Sequence, residues 1–281
     1  MIADPLPEPS RSQPPLIRLI GLPTDSHSSF LRGAAAAPPL IREALRSDHS
    51  NLAAESGAEI GVDVLLDDAG DLPLAEEPAD DDRIRAAVTD ALAAGAVPLA
   101  LGGDHSVSFP VVEAVAAAHG PVDILHFDAH PDLYDDFEGD PRSHASPFAR
   151  IMEGGHARRL VQVGIRTLNR HCREQAERFG VEIVPMRGFS PERVPVLSGP
   201  VYVSIDLDGF DPSIAPGVSH HEPGGLTVRE VLAVLDRIEG PLVGADIVEY
   251  NPGRDVNGVT AVLAAKLVKE IAALALRTRL P

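Results

Sequence analysis

Four short stretches carry side chains that bind metals and move protons. They are Gly102-Gly103-Asp104-His105-Ser106, Asp128-Ala129-His130-Pro131-Asp132, Ser204-Ile205-Asp206-Leu207-Asp208 running on into Asp211-Pro212, and Glu249-Tyr250-Asn251-Pro252. Asp128, His130 and Asp132 are two residues apart, as are Asp206 and Asp208, so in extended chain each set shares one side of the backbone. Carboxylates crowded this closely raise one another's pKa unless a cation neutralises them. So many aspartates with histidines exceed what one ion needs and suit two divalent ions that share carboxylates. Mixed imidazole and carboxylate donors favour Mn²⁺, Fe²⁺, Co²⁺ or Ni²⁺ over Ca²⁺.

Each stretch taken singly has a plainer explanation. GGDHS reads as a helix start capped by Asp104 or Ser106, DAHPD as a turn, and DLDGFDP as an incomplete calcium loop. Their positions favour chemistry. Apolar, β-branched runs at 16–22, 97–101, 122–127, 160–165, 181–186, 201–207 and 242–248 read as strands, and the four stretches follow the second, third, sixth and seventh of these. Between strands, apolar residues fall at helical spacing over 82–94, 106–118, 227–238 and 258–275. Alternation of this kind predicts an α/β fold with a parallel sheet covered on both faces by helices. Ligands of such sheets bind at the carboxyl ends of the strands, which puts all four stretches on one rim.

Composition narrows the partners. The 281 residues carry a formal charge of -18, which argues against nucleic acid and an anionic membrane surface; solubility explains it, and a more specific reading is attraction of a small cationic substrate or a metal. No run of about 18 apolar residues predicts a membrane-spanning helix. The N-terminal stretch has no apolar core after a basic start, so it does not read as a secretory signal. Residues 1–14, rich in Pro and Ser, read as a disordered tail, and 15–281 as one catalytic domain. With a single cysteine, Cys172, no intrachain disulfide forms, and a cytoplasmic location is the expectation.

The motifs GGDHS, DAHPD and SIDLDGFDPSIAPG, in this order, resemble the three signatures of the ureohydrolases, the family of arginases and agmatinases. DAHPDLYDDFEGD, SHASPFARIMEGG, APGVSHHEPGGLT and VGADIVEYNP resemble the plant-type arginase branch. The resemblance runs from about residue 16 to the C-terminus and implies a three-layer αβα sandwich around a parallel eight-stranded sheet. It implies two Mn²⁺ ions, one held by His105, Asp128, Asp132 and Asp206, the other by His130, Asp128, Asp206 and Asp208. It assigns catalysis to Asp128, His144 and Glu249, with Glu249 gripping a guanidinium and His144 shuttling a proton. It also implies hydrolysis of a guanidino substrate to urea and an amine, and a homotrimer or homohexamer.

Arginine is the first expectation for the substrate and agmatine the second. Loop 133–143 is expected to meet the substrate's far end. There Arg142 and Ser143 are candidate donors for an α-carboxylate, while Asp135, Asp136, Glu138 and Asp140 are candidate acceptors for an amine. A metal-binding scaffold without turnover and a single-zinc deacetylase are disfavoured by the complete ligand set. His126, inside its strand, reads as structural or as a support to the ligands. His119, His156 and His171 read as surface residues, Asp255 as a cap of the last helix, and Cys172 as inert. His220 matches the plant pattern, and His221 is given no role.

Overall fold

The computed structural model describes residues 13–279. Most of the tail expected over 1–14 falls outside them. Among the described residues there are eight strands: β1 (Leu16–Leu22), β2 (Leu65–Asp71), β3 (Ala96–Gly102), β4 (Val122–Phe127), β5 (Ala157–Ile165), β6 (Glu182–Pro185), β7 (Val201–Asp206) and β8 (Leu242–Val248). All strand pairs are parallel, in the order β2-β1-β3-β8-β7-β4-β5-β6. The four strands that end in the candidate motifs, β3, β8, β7 and β4, are therefore consecutive at the centre of the sheet. The chain leaves a gap between β3 and β4 and fills it later with β7 and β8.

A sheet with no antiparallel edge must be covered on both faces. Strand residues alternate accordingly. Leu99 and Leu101 of β3, with Leu125 and Phe127 of β4, enter one core. Ala100, Val122 and Ile124 enter the other. The first core is closed by α1 (Ala37–Arg46), α6 (Val228–Leu235) and α7 (Val259–Arg277). The second is closed by α2 (Asp80–Ala93), α3 (Ser108–His119), α4 (Pro147–Glu153) and α5 (Arg170–Phe179). This is the three-layer αβα arrangement read from the sequence.

Four elements, β2, α1, α4 and α5, did not show in the apolar pattern. Strand β2, LLDDAGD, is an edge strand whose acids are held by arginines. Arg18 Nε donates to Asp67 Oδ2 at 2.8 Å and Arg42 Nε to Asp68 Oδ1 at 2.8 Å. Charges on an edge block further pairing, which is why the strand carries no apolar alternation. Helix α5, RHCREQAERF, is mostly polar and is defined by its ends. Asn169 Oδ1 accepts from Cys172 N, and Gly180 closes the helix at φ 67°. Helix α1 opens with prolines in its first turn, where no N–H is needed.

Candidate metal centre

The turn after β3 is forced by a close approach. A Cβ at Gly103 would lie 1.7 Å from the Thr24 carbonyl oxygen, so only glycine passes. Asp104 then caps a short 3-10 turn, its Oδ1 accepting from Ser106 N at 3.1 Å. The plainer explanation thus holds for Asp104, and it leaves His105 free to turn inward. Gly209 plays a similar part after β7: a Cβ there would come within 2.9 Å of Asp128 N, so the loops after β7 and β4 close on one another.

The six candidate ligands converge. His105 Nδ1 stands 3.3 Å from Asp128 Oδ2, 3.0 Å from Asp132 Oδ2 and 3.2 Å from Asp206 Oδ2. His130 Nδ1 stands 3.3 Å from Asp128 Oδ1 and 3.1 Å from Asp208 Oδ2. Asp128 therefore turns one oxygen to each histidine. Burial, then the neighbouring Asp208 and Asp128, push Asp206 well above the usual carboxylate range. Burial likewise holds Asp208 at about 7, with Asp128 adding to the push and His130 opposing it. The His105 Nδ1 atom is buried and has no hydrogen-bond partner. An unsatisfied imidazole nitrogen facing three carboxylate oxygens is the donor set of a divalent ion, so these residues fit a metal centre.

Two of the site residues, one candidate ligand and Glu249, sit in strained backbone. Asp132 (φ 49°) and Glu249 (φ 64°) occupy the left-handed region, at a cost on the order of 1 kcal/mol each for a residue with a side chain. Glu249 is anchored in place: its N–H donates to Gly103 O at 2.8 Å, and its Oε1 accepts from His105 N at 2.9 Å. The same Oε1 lies 2.8 Å from His144 Nδ1. Burial disfavours an imidazolium at His144, but Glu249, with Asp104 and Asp132 adding to its pull, holds the ring up at about 9. Against that, Ser29 N donates to His144 Nε2 at 3.1 Å and requires a bare lone pair there. Those two demands exclude one another, so a proton arriving at Nε2 displaces the Ser29 N–H and is met instead by the Ser29 hydroxyl, whose Oγ lies 2.8 Å away and can accept.

A cavity of about 250 Å³ opens over this rim, lined by Ser29, His130, Asp132, His144, Glu222 and Glu249 among others. His220 overhangs it, its ring 5.6 Å from His130 and 5.3 Å from His144. His126 behaves as a support: Nε2 is 2.9 Å from Asp128 Oδ2, and the ring stacks 3.9 Å from Phe148. Cys172 is buried, and burial pushes its thiol up to about 12. Asp255 receives N–H bonds from Thr260 and Ala261 in the first turn of α7. His221 is exposed and meets the Pro216 carbonyl.

Arg142 and Ser143 are the corrections, since neither lines this cavity. Arg142 donates to Asp81 of α2 through Nε (3.1 Å) and Nη2 (2.7 Å), and lies 4.8 Å over the Phe109 ring. Ser143 Oγ accepts from Ala145 N and holds the turn that carries His144. Successive loop residues face different ways, and only His144 of this trio points inward. Ser29 was missed, although it follows β1 on the same rim and the carboxyl-end rule covers it.

The chain matches the model of the Arginase family over residues 16–273. The chain belongs to the arginase family. A mitochondrial arginase of Medicago truncatula is 52% identical over 91% of this chain and 80% of its own length. The solved structure of arginase from that plant superposes with a TM-score of 0.85 at 50% identity, covering 93% of this chain and 87% of that one. Arginase 2 of Arabidopsis thaliana, named chloroplastic/mitochondrial, is 51% identical over 91% of this chain and 79% of its own length. The mitochondrial agmatinase of Gallus gallus stands further off, at 37% over 90% of this chain and 78% of its own length. Membership makes this a hydrolase of the guanidino group. The expectation of a cytoplasmic protein is overturned: these arginase relatives are named for organelles. One reduced cysteine fits an organelle interior as well as it fits the cytoplasm.

Proposed function

We propose that this chain is a two-manganese arginase that hydrolyses L-arginine to L-ornithine and urea. The observation that supports it most is the buried Asp128 carboxylate, with one oxygen 3.3 Å from His105 Nδ1 and the other 3.3 Å from His130 Nδ1. His105, Asp128, Asp132 and Asp206 would hold one Mn²⁺, and Asp128, His130, Asp206 and Asp208 the other. The chemistry supplied by ions bound there would be a hydroxide nucleophile available near neutral pH. Residues of the chain do the rest. Glu249 pairs with the guanidinium by charge-assisted hydrogen bonds and aims its carbon at the rim. His144 holds or releases a proton at Nε2 for the leaving amine, and Asp128 is placed to relay one. On this reading residues 15–281 act as one catalytic domain, and a homotrimer or homohexamer is the assembly, checked by sedimentation.

One observation favours a second reading, agmatine. Among the described residues that line the cavity, Glu222 stands at the mouth and no Arg or Lys is present, so an α-carboxylate finds no guanidinium or ammonium there. Urea release from arginine, agmatine, guanidinobutyrate and guanidinopropionate by Mn²⁺-loaded protein decides. Arginine is expected to give the highest kcat/KM. Glu249→Gln is expected to keep its metal and lose about a hundredfold or more in kcat/KM. Faster turnover of agmatine would move the chain to the second reading.

A further inference from the structure

Asp246 is fully buried in β8, three residues before Glu249, and does not reach the cavity. Three hydroxyls surround it. Its Oδ2 accepts from Ser108 Oγ at 2.7 Å and from the Tyr202 hydroxyl at 2.6 Å, and its Oδ1 accepts from Ser204 Oγ at 2.7 Å. A carboxylate only accepts, so each hydroxyl points its single proton at Asp246. Ser204 then has no proton left for its other neighbour, His105 Nε2, 3.0 Å away. Its Oγ must accept there, and Nε2 must be the ring nitrogen that keeps a hydrogen. Nδ1, the nitrogen facing Asp128, Asp132 and Asp206, is left as the one that offers a lone pair.

We propose that Asp246 is a positioning residue: acting through Ser204, it fixes the His105 tautomer that can ligate a metal, and so it sets the affinity of the His105 half of the centre. This rests on the reading of the centre as binuclear. A partner that fixes the tautomer of a ligating histidine changes metal affinity without touching the ion. Asp246→Asn tests it because the amide keeps the shape and reverses one hydrogen bond. Its oxygen stays with Ser108 and Tyr202, and its NH₂ group faces Ser204. Ser204 then accepts from the amide and turns its own proton onto Nε2, driving the ring hydrogen to Nδ1.

The experiment is Mn²⁺ titration of metal-free protein by calorimetry, with stoichiometry checked by elemental analysis. Asp246→Asn is expected to bind one ion ~10–100-fold more weakly and the other as wild type does. Ser204→Ala, a milder change that keeps the carboxylate, is expected to weaken the same ion. Tyr202→Phe removes one hydrogen bond from Asp246 and leaves Ser204 alone; it is expected to lower thermal stability and leave both affinities unchanged. Wild-type affinity for both ions in Asp246→Asn and Ser204→Ala overturns the proposal. So does equal weakening by Tyr202→Phe, which would make the effect one of general packing. A wild-type chain that never holds two ions overturns the binuclear reading itself, and that failure is visible without any substitution.

Discussion

The two halves of the candidate site, one around His105 and one around His130, are built differently. The His105 side chain is wholly buried, with edge-on contact to Phe148 at 5.2 Å and its far nitrogen held by Ser204. The His130 side chain is 26% exposed, lines the cavity, and has Glu222 at 4.0 Å and the His220 ring nearby. The His105 half is fixed by the core that α3 and α4 close over the sheet; the His130 half opens onto the cavity and solvent. Rigidity on one side and access on the other arise from chain position. His105 starts the helix that covers the sheet, whereas His130 sits in an open loop.

Asp128 joins the halves, so removing its charge gives the largest effect. Asp128→Asn is expected to abolish urea release and to lose both ions on desalting. His130→Ala is expected to lose one ion and keep partial activity, because the buried half stands without it. Elemental analysis of desalted protein measures this. Identical metal contents in the two variants would break the division into halves.

Acid sharpens the same comparison with a smaller effect. Without ions, Asp208 is held at about 7 by burial, against the opposing pull of His130. Above about pH 7 its carboxylate is free to ligate; below it a proton must leave first. Mn²⁺ affinity is therefore expected to fall as pH drops through about 7, by about tenfold per unit for each proton displaced. The ion of the solvent-facing half is expected to leave first. The sign for the ion-free protein is opposite. A carboxyl raised above its unfolded value binds its proton more tightly when folded, so its contribution improves as pH falls from about 7 toward 3.8. Metal content followed from about pH 8 to about pH 5 checks both statements, and a flat profile would remove Asp208 from the ligand set.

Much of this rim was legible because metal ligation needs rare side chains at strand ends, and the strands feeding it are apolar and β-branched. VPLAL, ILHF, VYVSIDL and GADIV announce four neighbouring strands, and the acids that follow them stand out. What stayed hidden has no such contrast. Strand β2 is acidic because its partners are Arg18 and Arg42, from β1 and α1. Ser29 meets His144 through its backbone N–H and its hydroxyl, and a serine in a Ser-rich loop has nothing to set it apart. Asp246 sits inside an apolar strand, and its three hydroxyl partners come from separate elements and meet only after folding.

Arg142 gives the smallest expected effect, and it tests how the mouth of the cavity is assigned. Its sequence position, two residues before His144, suggests a cation for the substrate's α-carboxylate. In the fold its guanidinium is already paired with Asp81, stacked over Phe109, and turned toward a separate cleft lined by Thr24, His27 and Asp81. Moving it to the cavity would break a bidentate ion pair and uncover the aromatic ring. Arg142→Ala should therefore cost about 1 kcal/mol of stability from the lost pair and stacking. The KM for arginine should stay near the wild-type value, and so should that for agmatine. Steady-state urea release on both substrates, with thermal unfolding alongside, separates the outcomes. A rise of about tenfold or more in KM for arginine with agmatine unchanged would return Arg142 to the substrate's carboxylate, since only arginine carries one.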